Sequence, residues 1–561
     1  MAYLSDSATG SDAAPDSARA HGWRQDALDW LGQRRRALLG GLAVTVAAVA
    51  LFTRFSVDML LSRDEAIYVY GSIRFAHGVA PYASIFDPKT PGATLLGGFA
   101  AHLATLQPSS ALHAIRAEFF VVALLAVLAV YVLALELSGS VGGAITAGVA
   151  FCCYTRFAQD ALGGPDPKTA GVLFMVLCMW LLVRRRWFAG GVMGGLAFLF
   201  WQPLMWFPLI AVVAAAVYSA PHRRRRGALV AAGGAAAPVA VVAIYFALAG
   251  AFSDFVRTAF IFPLVGTVRA PETLGQHLTR IPGVLWVYPL TAAVFCVGTA
   301  CLVLAVVLRL RSAPAREVLM TPLVLIVAAT FVLNLLYALY DFQWTPDTLP
   351  FMPYPVLGAA VLIGELQGRV ASVAVGRVVA AAGVVLALVG ASVAWAQYQT
   401  PTSKARNLSG QLSSACGLSR LVGTGSFVEL GDPTQLVLTG RTSTSPFIYL
   451  DAGVDQWKVD HTAGGLQGWL HEILAQHPPV IGLDGWYTPI TPRMKLLLRK
   501  AGYVHRFIGP WRVFIAPAAR LRSRAVNVLL STHPTPIALT RQHRRLPAQV
   551  PCPPTSSAQG R

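Results

Sequence analysis

The segment "GATLLGGFAAHLATLQ", residues 92–107, is apolar enough to be counted as a membrane crossing, yet it is short, glycine-rich and carries His102. Its reading decides the topology of everything around it. Other apolar runs lie at about 37–54, 114–137, 140–157, 169–183, 188–201, 203–220, 228–249, 285–308, 317–340, 350–366 and 376–396. Each is near the length that a helix needs to cross a hydrocarbon core of roughly 30 Å. If 92–107 crosses as well, Arg184-Arg185-Arg186 and the cluster Arg223 to Arg226 both face outward, against the rule that keeps basic residues in the cytoplasm. If it lies along the outer interface, opened by Thr90 as N-cap and Pro91 in the first turn, the conflict disappears. Arg34 to Arg36, Arg184 to Arg186, Arg223 to Arg226, Arg309/Arg311/Arg316 and Arg369/Arg377 then share the cytoplasmic side. About eleven spans remain.

The composition requires a membrane. Of 561 residues, 55% are hydrophobic and 13% charged, about half the charged share of a soluble domain. The formal net charge of +19 would suggest nucleic acid in a soluble chain. Here the arginines sit in short clusters between apolar runs, where they set orientation, so no nucleic-acid partner is expected. Cys152, Cys153, Cys178, Cys296 and Cys301 lie inside apolar runs, which leaves Cys416 and Cys552 and no visible disulfide framework or metal spacing. The metal prediction is therefore none, with an assisting divalent ion left open. No Walker loop or dinucleotide fingerprint occurs, which argues against a nucleotide-consuming pump. An ion pathway would need ionisable groups within the spans, and only Glu118 and Glu136 sit there, near span ends.

The fold expected is a polytopic α-helical plasma-membrane protein with interfacial helices in its first outer loop and a small C-terminal extracytoplasmic α/β domain. Residues 1–36 read as a disordered cytoplasmic tail preceding an uncleaved first span. Residues 37–396 form the membrane domain, with the first outer loop at 55–113. Residues 397–518 form the outer domain: strand-like runs at 426–430, 447–450, 479–483 and 511–516 alternate with helical stretches at about 464–477 and 490–501. Residues 519–561 are basic, proline-rich and without periodicity, a second disordered tail. This register gathers Asp64, Glu65, Asp87, Lys89, Asp160, Asp166, Lys168, Arg257, Arg269, Arg280, Asp341 and Asp347 on the outer face.

Four outer stretches carry chemistry. In "LSRDEAIYVYGSIRFAHG", 61–78, Ser62 and Glu65 match a capping box, which gives Glu65 a structural task and leaves Asp64 in the first turn. A first-turn aspartate also suits the helix dipole, so residue physics leaves both a cap and a base open. In "FDPKTPG", 86–92, Lys89 precedes a helix start; it marks either a phosphate site or a proline-stiffened turn with a solvated lysine. Asp-Pro-Lys-Thr returns at 166–169, where Asp166 as N-cap and Pro167 in the first turn suffice. Arg257, Arg269 and Arg280 at the outer interface suit a lipid phosphate or headgroups in general, while "YDFQWTPDTLPFMPY", 340–354, mixes acids with aromatics, as carbohydrate sites and interfacial belts both do.

The order of a first span, "RDEAIYVYGSIRFAHGVAPY", "FDPKTPG" and Asp166 before a later span resembles the membrane glycosyltransferases of the GT-C superfamily, those similar to protein O-mannosyltransferases and the bacterial lipid A aminoarabinose transferase. The arrangement covers roughly residues 37–370, although only the first outer loop carries it in residues. The tract from 430 to 460, with "LGDPTQLVLTGRTSTSPFIYLDAGVDQW", also resembles the outer domain of actinobacterial polyprenyl-phosphate-mannose mannosyltransferases. The resemblance implies transfer of a sugar, mannose first, from a polyprenyl-phosphate carrier to a glycan, lipid or protein acceptor at the outer face, with inversion at the anomeric carbon. Asp64 would be the catalytic base, with Glu65 and Asp166 supporting and Lys89 neutralising the carrier phosphate. Arg257, Arg269 and Arg280 would be spare phosphate partners. The chain departs from the family's Lys-Pro-Pro or His-Pro-Pro element by placing Thr90 where the first proline belongs. Arabinofuranose or galactose is the alternative sugar. The alternative class is a lipid-linked-sugar transporter or envelope assembly protein, but a transporter needs a path through the spans and paired repeats, and neither is present.

Overall fold

A computed structural model describes residues 16–104, 111–266, 273–399, 407–450, 453–483, 488, 490–525, 528 and 530–534. Helix α1 (Asp16–Phe52) carries the first apolar run and extends back past Arg34 into the stretch expected as a tail. Two shorter helices follow, α2 (Arg63–Ala76) and α3 (Gly92–Ala104). They cross closely because α3 offers glycines to α2. A Cβ on Gly97 would stand 2.6 Å from the Ser72 hydroxyl, and one on Gly98 would collide with the Phe75 ring. The glycine content of 92–104 therefore serves helix packing.

The bundle continues with α4 (Ala111–Ser138), α5 (Val141–Phe151), capped by Ser140, and α6 (Thr155–Gly163). α5 and α6 meet at a 68° bend, where the Thr291 hydroxyl accepts the Thr155 N–H at 3.1 Å. Helix α7 (Pro167–Val183) opens with Asp166 as N-cap and a first-turn proline, as expected. It is followed by α8 (Trp187–Phe200), α9 (Trp206–Tyr218) and α10 (Arg224–Leu248). Next come α11 (Phe252–Val256), a π-helical turn at Arg257–Ile261, α12 (Phe262–Val265), α13 (Leu274–Trp286) and α14 (Pro289–Ser312). The short α15 (Ala315–Leu319) leads through π-helical Leu323–Ala328 to α16 (Ala329–Tyr340). A 3-10 segment at Thr345–Phe351 turns the chain into α17 (Pro353–Arg369), and α18 (Val373–Gln397) closes the membrane part.

Among the described residues seven helices are long and apolar enough to cross a membrane, or eight if the bent α5–α6 pair is one span. That is fewer than the eleven expected. The difference lies in α7, α8 and the segment Gln202–Tyr218, which are apolar but shorter than a full crossing, as is α3.

The C-terminal region comprises α19 (Leu408–Val422), β1 (Phe427–Glu429), α20 (Thr434–Thr439), α21 (Val454–Asp460), α22 (Gly465–Leu474), β2 (Val480–Gly482), α23 (Ile490–Lys500), β3 (Val504–Ile508), β4 (Trp511–Ile515) and α24 (Pro517–Ala525). Its four strands run in the order β1-β2-β4-β3. β1 pairs parallel with β2 (Phe427 opposite Val480), which the α20–α22 crossover permits. β4 pairs antiparallel with both β2 and β3, and Ile508 faces Trp511 across the hairpin. The run 447–450, expected as a strand, stays outside the sheet: the carbonyl of the preceding Pro446 accepts the Phe86 N–H at 2.8 Å, which ties the stretch to the loop between α2 and α3. Phe86 stacks on Phe447 at 4.9 Å and lies edge-on to Phe262 at 5.1 Å. Both Phe86 and Phe262 belong to the buried cluster of the C-terminal region. Helix α24 carries order past residue 518, while the rest of the expected second tail lies largely outside the described residues. Cys416 is disulfide-bonded, against the expectation of no disulfide. The other five described cysteines are free.

Candidate active site

The site grows from the first turn of α2. Ser62 is extended and its hydroxyl accepts the Glu65 N–H at 3.2 Å, while Glu65 Oε2 accepts the Ser62 N–H at 3.0 Å. The capping box thus consumes Glu65, as the sequence predicts. The helix stops where expected, with Gly78 at φ +84° and the Val79 N–H donating to the Arg74 carbonyl at 3.0 Å. Asp64, one position before Glu65, has a buried Oδ1 that no described residue meets with a hydrogen bond.

Glu65 is 8% exposed. Burial pushes its carboxyl above the ordinary value, and the guanidinium of Arg116 opposes the rise. Arg116 is completely buried at the start of α4. It donates to the carbonyls of Gly163 at 2.7 Å, Leu60 at 3.2 Å and Val57. One side chain therefore supports the approach to α2 and the end of α6. Sequence reasoning passed over Arg116 as part of an apolar run; the signal was an arginine inside the end of a span.

Lys89 enters from the loop before α3. Its ammonium donates to the Tyr68 hydroxyl at 2.6 Å, and its backbone N–H donates to Asp87 Oδ1 at 3.2 Å. The Tyr82 hydroxyl donates to the Lys89 carbonyl at 2.8 Å. Burial favours the neutral amine, but the carboxylates of Asp87, Asp64, Asp166 and Asp347 outweigh it, so the Lys89 pKa rises. Burial, followed by the same Asp87, Asp166 and Asp64, holds the Tyr68 phenol protonated well above its ordinary range. Asp64, Lys89 and Asp166, widely separated in sequence, are thus within one electrostatic neighbourhood.

Two elements hold that loop. α3 begins at Gly92 and the Leu95 N–H donates to the Pro91 carbonyl at 2.9 Å, so Pro91 and not the expected Thr90 holds the cap position, and the Thr90 hydroxyl donates to the Phe198 carbonyl of α8 at 3.2 Å. A Cβ on Gly92 would lie 2.6 Å from the Leu199 carbonyl oxygen, so only glycine lets α3 begin against α8. Gln202, just past α8, donates to the Pro88 carbonyl at 2.7 Å and the Ala259 carbonyl at 3.1 Å. No motif announced it, although a glutamine before proline in an otherwise apolar run is the visible trace.

The opposite wall is an ion pair. Lys168, positioned by the Asp166 cap, reaches Asp347 Oδ1 at 2.7 Å with both side chains 11% exposed. Asp347 Oδ2 accepts the N–H groups of Gln343 at 2.7 Å and Trp344 at 3.2 Å. Lys168 also lies 5.1 Å over the Trp201 ring. The arginines behave differently. Arg257 pairs with Asp254 at 2.7 Å and is 54% exposed, Arg280 donates to the Phe342 carbonyl at 3.1 Å, and Arg269 lies outside the described residues. Among the described residues no group of three or more His, Cys, Asp or Glu side chains is placed to hold a metal ion.

The arrangement offers a carboxylate oxygen without a described partner in the same electrostatic neighbourhood as a buried ammonium and a protonated phenol, a set suited to taking a proton from one group while stabilising negative charge on another.

No protein-family model and no curated protein matches the sequence. Solved structures do. ArnT (aminoarabinose transferase) from Cupriavidus metallidurans bound to undecaprenyl phosphate is similar with a TM-score of 0.55 at 15% identity, over 84% of this chain and 97% of that one. Its apo state gives 0.57 at 14% identity, over 88% and 99%. The apo oligosaccharyltransferase from Archaeoglobus fulgidus gives 0.50 at 14% identity, over 80% and 69%. These proteins are GT-C glycosyltransferases, and the chain has their fold.

Proposed function

We propose that this protein is a multi-pass membrane glycosyltransferase that moves a sugar from a polyprenyl-phosphate carrier to an acceptor hydroxyl. The observation that carries the reading is the buried, unpartnered Oδ1 of Asp64 in the same electrostatic neighbourhood as the Lys89 ammonium, within a GT-C fold. The lipid seen on the similar ArnT supports the carrier class.

In the reaction, Asp64 takes the proton of the acceptor hydroxyl as its oxygen attacks the anomeric carbon. The bond from that carbon to the phosphate oxygen breaks, its electron pair leaves with the phosphate, and the anomeric configuration inverts. Lys89 neutralises the departing phosphate, and Tyr68, which accepts from Lys89, has its own O–H to offer. Asp166 orders α7 and adds to the field that keeps Lys89 charged. Arg257, half-exposed beside Asp254, Arg280 and Arg269 are kept in this reading as spare phosphate partners. Mannose is the sugar we assign, on the resemblance of the 430–460 tract; the acceptor stays a glycan, lipid or protein.

For topology, the short α7, α8 and Gln202–Tyr218 segments complete eleven crossings, α3 lies at the outer interface, and the site and C-terminal region face outward. The disulfide at Cys416 supports that side, since such bonds persist in oxidising compartments. The test is sugar transfer from radiolabelled polyprenyl-phosphate-mannose by membranes holding the wild type or Asp64→Asn at equal levels. Loss of transfer by at least a hundredfold is expected, and equal transfer sinks the assignment; arabinofuranose and galactose donors in the same assay decide the sugar.

A further inference from the structure

At the other end of the bundle, the C-terminal ends of α4, α14 and α17 border an open pocket of about 400 Å³. The N-terminal end of α4 holds Arg116, and the 3-10 segment leading into α17 holds Asp347. The cavity is thus separated from the carboxylate cluster by the length of α4, 28 residues, roughly 40 Å at 1.5 Å per residue. It sits where the headgroups of the opposite leaflet would be.

Its polar lining is Ser138, Arg309, Ser312, Glu365 and Arg369. Arg309 Nε donates to Glu365 Oε1 at 2.6 Å, a bond in which its two terminal nitrogens take no part. Arg369 lies 3.8 Å from Glu365 Oε2 and donates through Nη2 to the Leu308 carbonyl at 2.8 Å and the Ser312 hydroxyl at 2.9 Å. Capping the end of α14 accounts for that one nitrogen of Arg369. It does not account for two guanidiniums sharing one carboxylate around an open volume, which leaves the pocket with a net positive charge. Gly368 lines the pocket, and a Cβ there would meet nothing within 4 Å. Leu137 and Val361 line it as well, an apolar flank for an acyl chain.

We propose that this pocket binds the phosphodiester headgroup of an anionic membrane lipid. The volume falls in the range of small-ligand sites. Guanidiniums match phosphate oxygens two at a time, and basic pockets between membrane helices on the cytoplasmic side take such headgroups. The single net charge fits a phosphodiester carrying one negative charge, and the apolar flank favours a phosphate tethered to a lipid over a free one.

The test uses the full-length protein in detergent, with lipid binding followed by native mass spectrometry and thermal shift. Phosphatidylglycerol should bind and raise the apparent Tm, while phosphatidylcholine should bind at least tenfold more weakly. Arg309→Gln with Arg369→Gln should lose at least tenfold in phosphatidylglycerol affinity. Glu365→Gln, which removes the competing carboxylate, should gain severalfold. Gly368→Leu fills the cavity without altering charge and suits a helix, so it keeps the test decisive should the double variant fail to fold; it should also weaken binding. Equal binding of the two lipids, unchanged affinity in Gly368→Leu, or protection by inorganic phosphate equal to that by phosphatidylglycerol would each overturn the proposal.

Discussion

Gln411 holds both backbone groups of Leu61: its carboxamide oxygen accepts the Leu61 N–H at 2.8 Å and its amide nitrogen donates to the Leu61 carbonyl at 3.0 Å. Leu61 immediately precedes the cap of the Asp64 helix, and Gln411 lies on α19. Beside the clamp, the Leu408 N–H donates to the Asp58 carbonyl at 2.9 Å and Met59 bridges to Asn407. The C-terminal region therefore fixes where α2 begins. Gln411→Leu leaves two buried backbone groups unsatisfied, a loss of about 1–3 kcal/mol each. Sugar transfer should fall through kcat with KM little changed, because Asp64 shifts while the carrier still docks. Gln411→Glu, which retains the acceptor, should recover part of both. Wild-type kcat and Tm in Gln411→Leu would show the clamp to be idle.

Arg116 is the second support, and its removal should cost stability before chemistry. In Arg116→Met the carbonyls of Gly163, Val57 and Leu60 lose their donor, and buried Glu65 loses the cation that opposes its rise. Breaking such a buried arrangement on one side costs about 3–5 kcal/mol. Arg116→Lys should recover little, since one ammonium cannot span three separate carbonyls. Thermal unfolding in detergent checks both, with Asp64→Asn as a control whose Tm stays near wild type.

The Lys89 loop carries a pH signature. Burial raises the Asp87 carboxyl above its ordinary 3.8, and the Lys89 ammonium is the first influence pulling it back. A carboxyl with a raised folded pKa gives its full contribution to stability below the unfolded value and loses it as pH rises through the folded one. Lys89→Met removes the restraint, so the folded value climbs further and the loss at neutral pH deepens, by about 3–5 kcal/mol for an unpaired buried charge. The Tm gap between wild type and Lys89→Met should therefore be widest near neutral pH and narrow on acidification. A gap that widens toward acid contradicts the assignment. Lys89 itself, whose pKa lies above 10.5, stays charged throughout that range.

What the sequence revealed of this site was its local chemistry. The Ser62–Glu65 box and the Asp166 cap are contacts between residues two or three apart, and both stand as read. The arginine clusters placed Lys168 and Asp347 on one face although 179 positions separate them, because topology alone decides which span ends meet. Thr90 escaped the same logic: its hydroxyl found the Phe198 carbonyl across the interface with α8 instead of its own helix. Arg116, Gln202 and Gln411 were not legible for a related reason. Each binds backbone carbonyls or amides, which every residue carries, so no side-chain pattern marks the partner. Length is why seven or eight elements among the described residues pass as full crossings, since α8 at 14 residues reaches only about 21 Å.

The topology rests most heavily on α3, and labelling can decide it. Length does not separate it from α8, since 13 and 14 residues cover about 20 and 21 Å, both short of a hydrocarbon core of roughly 30 Å. Gly97 and Gly98 pack it against Ser72 and Phe75 of α2, so it shares the depth of the helix that carries Asp64. In a background with Cys296 replaced by Ser, because that thiol is exposed, Ser110→Cys should react with a membrane-impermeant maleimide added to intact cells. A cysteine placed within Arg223 to Arg226 should react only after permeabilisation. If the residue-110 thiol also needs permeabilisation, α3 crosses, the arginine clusters no longer share a side, and the outward placement of Asp64 must be re-derived from the remaining spans.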